Sequence, residues 1–289
     1  MYYIYYSIVK LLSHIPFGVL YVLSDMLYYP LYYVIRYRRK VVRKNLTESF
    51  PEKSLAEIIS IERNFYHFFT DMILESSKLA SISPEEIRQR MILVNAEELN
   101  NTLSQGRNIT AFIGHYCNWE WMTSAGLWLN DDAVCVQVYH KLANQTIDDL
   151  MKNMRERLGK SICVEMRKTA RFVNNMASDG KPFMMALIAD QSPKRRDIKH
   201  YVSFLNHDVP VIVGPEKMTK HYDFAPFFIN ARRVKRGYYE IVVSPLCDNA
   251  SSMPDYELTD IYFRRLEEEI RQQPECYLWT HNRFKYARG

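Results

Sequence analysis

Residues 108–121 read NITAFIGHYCNWEW. A short β-rich run, Asn108 to Ile113, breaks at Gly114. A histidine, a glutamate and two tryptophans follow within seven residues. That pattern is a strand ending in a turn that opens a helix, with chemistry-bearing side chains at the junction. Further β-rich runs fall at 91–94, 133–139, 183–189, 209–213, 224–230 and 239–244. Helical stretches separate many of them, at about 118–129, 144–158, 167–179, 214–222 and 255–272. Strands alternating with helices predict an α/β fold, a mixed, largely parallel sheet flanked by helices. Ligands of such sheets sit beyond the carboxyl ends of strands. Two ends draw attention: His115, and Asp190 after FMMALIA at 183–189.

Upstream, residues 54 to 80 predict a long helix, with Leu55, Ile58, Ile59, Phe65, Phe68, Phe69, Met72 and Ile73 at helical spacing. Ser83-Pro84-Glu85-Glu86 reads as a cap with proline in the first turn. Asn45 to Pro51 reads as a turn-like break.

The first 35 residues are almost all apolar or aromatic, and nine of the 21 tyrosines precede residue 34. Ile15 to Ile35 has about the length that crosses a bilayer. Asp25 and Pro30 interrupt it, and tyrosine prefers the interface to the bilayer centre. The expectation is a segment that lies in one leaflet, re-enters or spans imperfectly. It lacks the basic start and cleavage site of a secretory signal. Arg36, Arg38, Arg39, Lys40, Arg43 and Lys44 follow at once, a block suited to anionic lipid that places the remainder on the cytoplasmic side. Residues 1–44 therefore read as a membrane-anchoring unit and 45–289 as the domain that carries the chemistry.

The net charge of +5 is too modest to imply nucleic acid, which is not expected as a partner. Five dispersed cysteines without a CxxC fit a reducing compartment. No HExxH and no second histidine near His115 give a metal site, so neither metal nor cofactor is expected.

On one continuous helix His115 and Glu120 would point about 140° apart. If Asn118 caps the helix, Glu120 falls in its first turn and can lean back toward the imidazole. A carboxylate there would fix the tautomer and balance the imidazolium formed when His115 takes a proton. Cys117 has only His115 to activate it and is a poorer nucleophile. The spacing alone is weak, since a strand-end histidine often has a surface glutamate five residues on.

Several segments together are more specific. GHYCNWEW resembles the H-x4-D/E motif of the bacterial lipid A biosynthesis (late, or secondary) acyltransferases. ADQSPK at 189–194 resembles their Asp-Gln-Ser-Pro segment, and VSFLNHDVPVIVGPEKMTK at 202–220 their Phe-Leu-Asn and Gly-x-Glu-Lys stretch. ECYLWTHNRFK at 275–285 is similar to their Tyr-Leu-Trp-x-His-x-Arg-Phe-Lys signature, and RKNLTESFPEKS at 43–54 to their N-terminal region. The resemblance covers nearly the whole chain. It implies an acyltransferase of the glycerol-phosphate acyltransferase-like fold with hydrophobic anchoring helices. The donor would be acyl carrier protein or, less often, acyl-CoA. The acceptor would be a hydroxyl of a membrane glycolipid, at the cytoplasmic face of the inner membrane.

Residue roles follow from the same resemblance. His115 would be the general base and Glu120 its partner. Arg155 would donate to the oxyanion, with Arg157 close enough to compete. Asp190 and Gln191 would support the site or the acceptor head group, and Lys194, with Arg195 and Arg196, would meet the acidic carrier or lipid phosphates. Arg283 of the last signature would bind substrate, although Trp279, His281 and Arg283 can equally serve packing. Met184, Met185 and the runs at 109–113 and 127–129 could line an acyl tunnel. Cys117 stands where the family usually has glycine and is expected to act as a spacer. Arg232, Arg233, Lys235 and Arg236 read as a solvated hairpin turn. Another polar lipid as acceptor, or hydrolysis of a thioester by the same pair acting on water, are the competing activities.

Overall fold

A computed structural model describes residues 2–288; Met1 and Gly289, the outer ends of the two units expected above, lie outside them. The helices are α1 (Tyr2–His14), α2 (Phe17–Tyr29), α3 (Arg39–Ser49), α4 (Leu55–Ser77), α5 (Pro84–Arg90), α6 (Ala96–Ser104), α7 (Gln145–Glu156), α8 (Thr169–Ser178), α9 (Gly214–Tyr222) and α10 (Glu257–Gln272). The strands are β1 (Met91–Val94), β2 (Ile109–Ile113), β3 (Val134–Tyr139), β4 (Ser161–Glu165), β5 (Phe183–Ile188), β6 (His200–Phe204), β7 (His207–Val211), β8 (Ala225–Lys235) and β9 (Tyr238–Pro245).

Seven strands form one sheet in the order β1-β9-β8-β2-β5-β3-β4, and β6 and β7 form a separate hairpin. The β8–β9 pair is antiparallel, and the other neighbours in the large sheet run parallel. The fold is thus mixed α/β with a largely parallel sheet between helices. β2 is buried at every position, as a central parallel strand covered on both faces should be. Its order next to β5 brings the two strand ends noted in the sequence side by side, with Ile113 in register with Ile188.

Three elements escaped the sequence reading. β4 is an edge strand whose run SICVE is short and bounded by polar residues. β6 pairs with β7 through a two-residue turn at Leu205 and Asn206, both left-handed with φ of 52° and 61°. Positive φ at both positions matches the twist of the flanking strands. α6 carries only two buried apolar residues, Leu99 and Leu103, so its periodic signal is thin. Nor does the chain break at Asn45. α3 runs on to Ser49, because the Asn45 amide is buried and donates to the carbonyls of Trp279 and His281, at 2.9 Å each. The stretch at 118–129 is a 3₁₀ turn from Trp121 to Trp128 rather than an α-helix, with Asn118 Oδ1 accepting from Trp121 N.

Helix α4 begins in a capping box between Ser54 and Glu57. Along its buried side it carries three carboxylates, each met from the N-terminal helices. Glu62 receives Tyr32, Arg39 and Arg43; Asp71 receives Ser24, Arg233 and Arg236; Glu75 receives Tyr21. So part of the basic block at 36–44 serves packing. Arg236 also pairs with Asp25, which removes that charge from the outer face of α2. The cluster at 232–236 turns a hairpin as expected, with Arg232 and Lys235 exposed, but Arg233 and Arg236 are drawn inward to Asp71 of α4.

No single helix among the described residues is long and apolar enough to cross a membrane. α1 and the α2 segment, continued by a π turn from Pro30 to Val34, form a pair bent by 118°. The outward face of that pair is apolar: Ile8, Leu11, Val19, Val22, Met26, Tyr29, Tyr33, Val34 and Ile35 are all exposed.

Candidate active site

The loop after β2 is assembled by close approach. A Cβ on Gly114 would sit 2.7 Å from Leu266 Cδ1 of α10, so the residue before His115 has little room for a side chain. Cys117 has a φ of 55°, the left-handed region that favours glycine. It is fully buried, and its backbone N–H donates to the Cys276 carbonyl at 2.8 Å. It is therefore a strained anchor rather than a spacer. Burial pushes its thiol well up, against any role as nucleophile. The Leu278 N–H donates to the His115 carbonyl, and Tyr116 bridges to Tyr277. The last signature segment thus runs beside the histidine loop.

His115 Nδ1 lies 2.6 Å from Asp190 Oδ1, and the His115 backbone N–H donates to Asp190 Oδ2 at 3.1 Å. Arg283 Nη2 donates to the same Oδ2 at 2.8 Å. Asp190 is wholly buried. Burial alone would raise its carboxyl. The Arg283 and His115 charges and the His115 hydrogen bonds outweigh that and hold it far below the usual carboxylate range. An ionised Asp190 accepts Nδ1–H and leaves Nε2 with its lone pair. The Gln191 amide nitrogen is 3.2 Å from that Nε2.

Glu120 is placed differently from the sequence expectation. Its two oxygens accept from Arg155 Nε and Nη2 at 2.9 and 2.7 Å, and among the described residues no hydrogen bond joins it to His115. The position at Nδ1 that the spacing assigned to Glu120 is taken by Asp190. Arg155 Nη1 takes no part in the pair. Arg157 reaches away to the carbonyls of Leu79 and Ile82, so Arg155 is the arginine at the site.

His115, Glu120, Arg155 and Gln191 all line one cavity of about 480 Å³. Its remaining wall is mostly apolar and includes Ile113, Met122, Ala125, Cys135, Met184, Ala186, Ile188, Ile212 and Ile229. Met184, Ala186 and Ile188 alternate along β5, and Cys135, Gln137 and Tyr139 along β3. Each trio shares one face of its strand, so the cavity follows the strands for about 13 Å. Met184 and Ile113 are the members of the expected tunnel that reach the wall; Met185 and residues 127–129 do not. Lys194 lies on the surface outside the wall, opening the turn Arg195–Asp197. Arg283 and Asp190, expected to bind substrate, instead sit behind the wall, where they bind each other and reach the cavity through His115.

The β3–α7 wall was not read from the sequence. Gln137, His140 and Met151 line it, facing Trp119 of the histidine loop in the same cavity. The one available signal was the strand-then-helix order at 133–158.

A histidine tied at Nδ1 to a buried carboxylate, with Nε2 toward the Gln191 amide and its ring in the wall of a long apolar cavity, suits proton removal beside an extended acyl chain. Residues 1–286 match the family model described as bacterial lipid A biosynthesis acyltransferase, and the chain belongs to that family. It is accordingly an acyltransferase of lipid A biosynthesis type. No curated protein matches the chain.

Proposed function

We propose that this acyltransferase moves a fatty acyl chain from acyl carrier protein, or from acyl-CoA, to a hydroxyl of a membrane glycolipid, a lipid A precursor, with His115 as general base. The observation that carries this reading is His115 with Nδ1 tied to an ionised Asp190 and its ring in the wall of an apolar cavity. Nε2 takes the acceptor hydroxyl proton as the oxygen attacks the thioester carbonyl. The C–S bond then breaks, and the imidazolium returns the proton to the leaving thiolate. Charge on the carbonyl oxygen needs a preorganised donor. Arg155 fills that role, with Glu120 holding the guanidinium in one orientation. Glu120 thus serves the histidine chemistry from the arginine side. Gln191 lies beside Nε2 and contacts the acceptor.

Residues 1–44 engage the membrane and 45–289 carry the chemistry. The bent helix pair lies in the interface with its apolar face in the lipid, as amphipathic helices of this kind do. Arg36, Lys40 and Lys44 are exposed beside it and suit anionic head groups on the cytoplasmic face of the inner membrane. Lys194, Arg195 and Arg196 are exposed and suit the acidic carrier protein.

Mass spectrometry of lipid A and total polar lipids, from cells with the intact protein and with His115→Ala, tests this. Loss of the base lowers transfer at least about a hundredfold, so the variant accumulates a lipid A precursor one acyl chain lighter. A lighter aminolipid or phospholipid would instead name another acceptor. Unchanged lipids would sink acyl transfer by His115 and bring thioester hydrolysis forward.

A further inference from the structure

The buried carboxyl of Glu75 has no part in the chemistry above, yet it joins four pieces of the molecule. Oε1 accepts from Tyr21 of α2 at 2.9 Å. Oε2 accepts from Asn118 Nδ2 at 2.7 Å and from Tyr239 of β9 at 2.6 Å. The Glu75 backbone carbonyl accepts from the Trp121 indole at 2.9 Å. Phe17, at the start of α2, meets the Trp121 ring edge-on at 5.9 Å. Glu75, Asn118 and Trp121 are all fully buried.

Asn118 and Trp121 flank Glu120 in the chain, and Glu120 holds Arg155 at the cavity wall. Both anchors of that short loop therefore rest on one residue of α4. The same residue is gripped by α2, whose opposite side exposes Val19, Val22 and Met26. A buried carboxyl with three donors is costly to leave partly satisfied, so loss of any donor is felt by the others.

We propose that Glu75 is a positioning residue that couples the seating of the lipid-facing helix α2 to the loop carrying Glu120, so that turnover depends on how α2 is held. This rests on the reading of Glu120 and Arg155 as site residues. The path runs from Tyr21 through Glu75 to Asn118 and Trp121, and from there to the Glu120–Arg155 pair.

The test uses the full chain in detergent micelles and compares the wild type with Tyr21→Phe, Glu75→Gln and Glu75→Leu. Hydrogen exchange should speed up about tenfold over residues 117–124 in Tyr21→Phe, although the lost hydroxyl lies in α2, while β2 and β5 keep their protection. Release of thiol from a long-chain acyl-CoA, with polar lipid extract as acceptor, should show kcat down about tenfold and the donor KM nearly unchanged. Glu75→Gln keeps an acceptor for Asn118 and should lie between wild type and Glu75→Leu. Wild-type exchange over 117–124 in Tyr21→Phe would overturn the coupling. So would equal loss in the Gln and Leu variants. His115→Ala, run alongside, separates the two readings. If it keeps turnover, the proposed chemistry fails, while the exchange result still decides whether Tyr21 and the loop are linked.

Discussion

Two arginine–carboxylate pairs flank His115, and they differ in how they meet water. Asp190 and Arg283 have side chains 0% and 4% exposed, and they sit behind the cavity wall. Glu120 and Arg155 are 12% and 22% exposed, and they form part of that wall. The first pair is sealed by the C-terminal signature segment and acts only through the imidazole. The second faces the space a substrate would fill. A sealed pair can fix a tautomer, since nothing competes for its hydrogen bonds. An open pair can exchange partners as charge develops on a bound carbonyl. Under the proposed mechanism, similar chemistry serves orientation on one side of the histidine and charge stabilisation on the other.

Breaking the sealed pair should have the largest effect. Asp190→Asn removes the acceptor that selects the Nδ1–H tautomer, and turnover should fall about 10³- to 10⁴-fold. It also leaves Arg283 buried without its charge partner, a loss of about 3–5 kcal/mol that a denaturation curve would register. A variant with normal stability and normal turnover would erase the distinction between the pairs. Arg155→Ala should cost turnover about a hundredfold, lowering kcat and kcat/KM alike, with a melting temperature close to wild type. A pure rise in KM would move Arg155 to ground-state binding. A double-mutant cycle sharpens this further. If Glu120 works only by holding Arg155, Glu120→Gln added to Arg155→Ala should change turnover by less than about twofold. A full additional loss would give Glu120 a separate task at the histidine.

The smallest effect concerns His281, next to the sealed pair. Burial and the Arg283 charge bring its imidazole from 6.5 down to about 4. The folded protein therefore holds it neutral while the unfolded chain takes up a proton below about pH 6.5. Stability should decline as pH falls from 6.5 toward 4, and His281→Gln should flatten that slope in melting curves taken across the range. An unchanged slope would assign the acid sensitivity to other groups.

Much of this was legible in the residues. The β2 and β5 runs, the long helix at 54 to 80 and the cap at Ser83 stand out because they are long or strongly patterned. The two strand ends were both marked as ligand positions. What the pattern did not carry was their adjacency. Proximity in sequence favoured Glu120 as the partner of His115, whereas the parallel pairing of β2 with β5 put Asp190 there. The role of Arg283 was hidden for the same reason, since it lies 93 residues from Asp190. The basic runs, one read as facing lipid and the other as a solvated turn, misled in part. Arg39 and Arg43 of the first and Arg233 and Arg236 of the second each serve a carboxylate of α4 that is itself buried.

That 93-residue interval also orders events during synthesis. β2 and β5 can pair, and Asp190 can take its place, long before Arg283 leaves the ribosome. Until then the carboxylate beyond the end of β5 has the His115 contacts but lacks the guanidinium that meets its second oxygen. The last ten described residues, which form no strand of the sheet, thus supply the final contact to the carboxylate that orients His115.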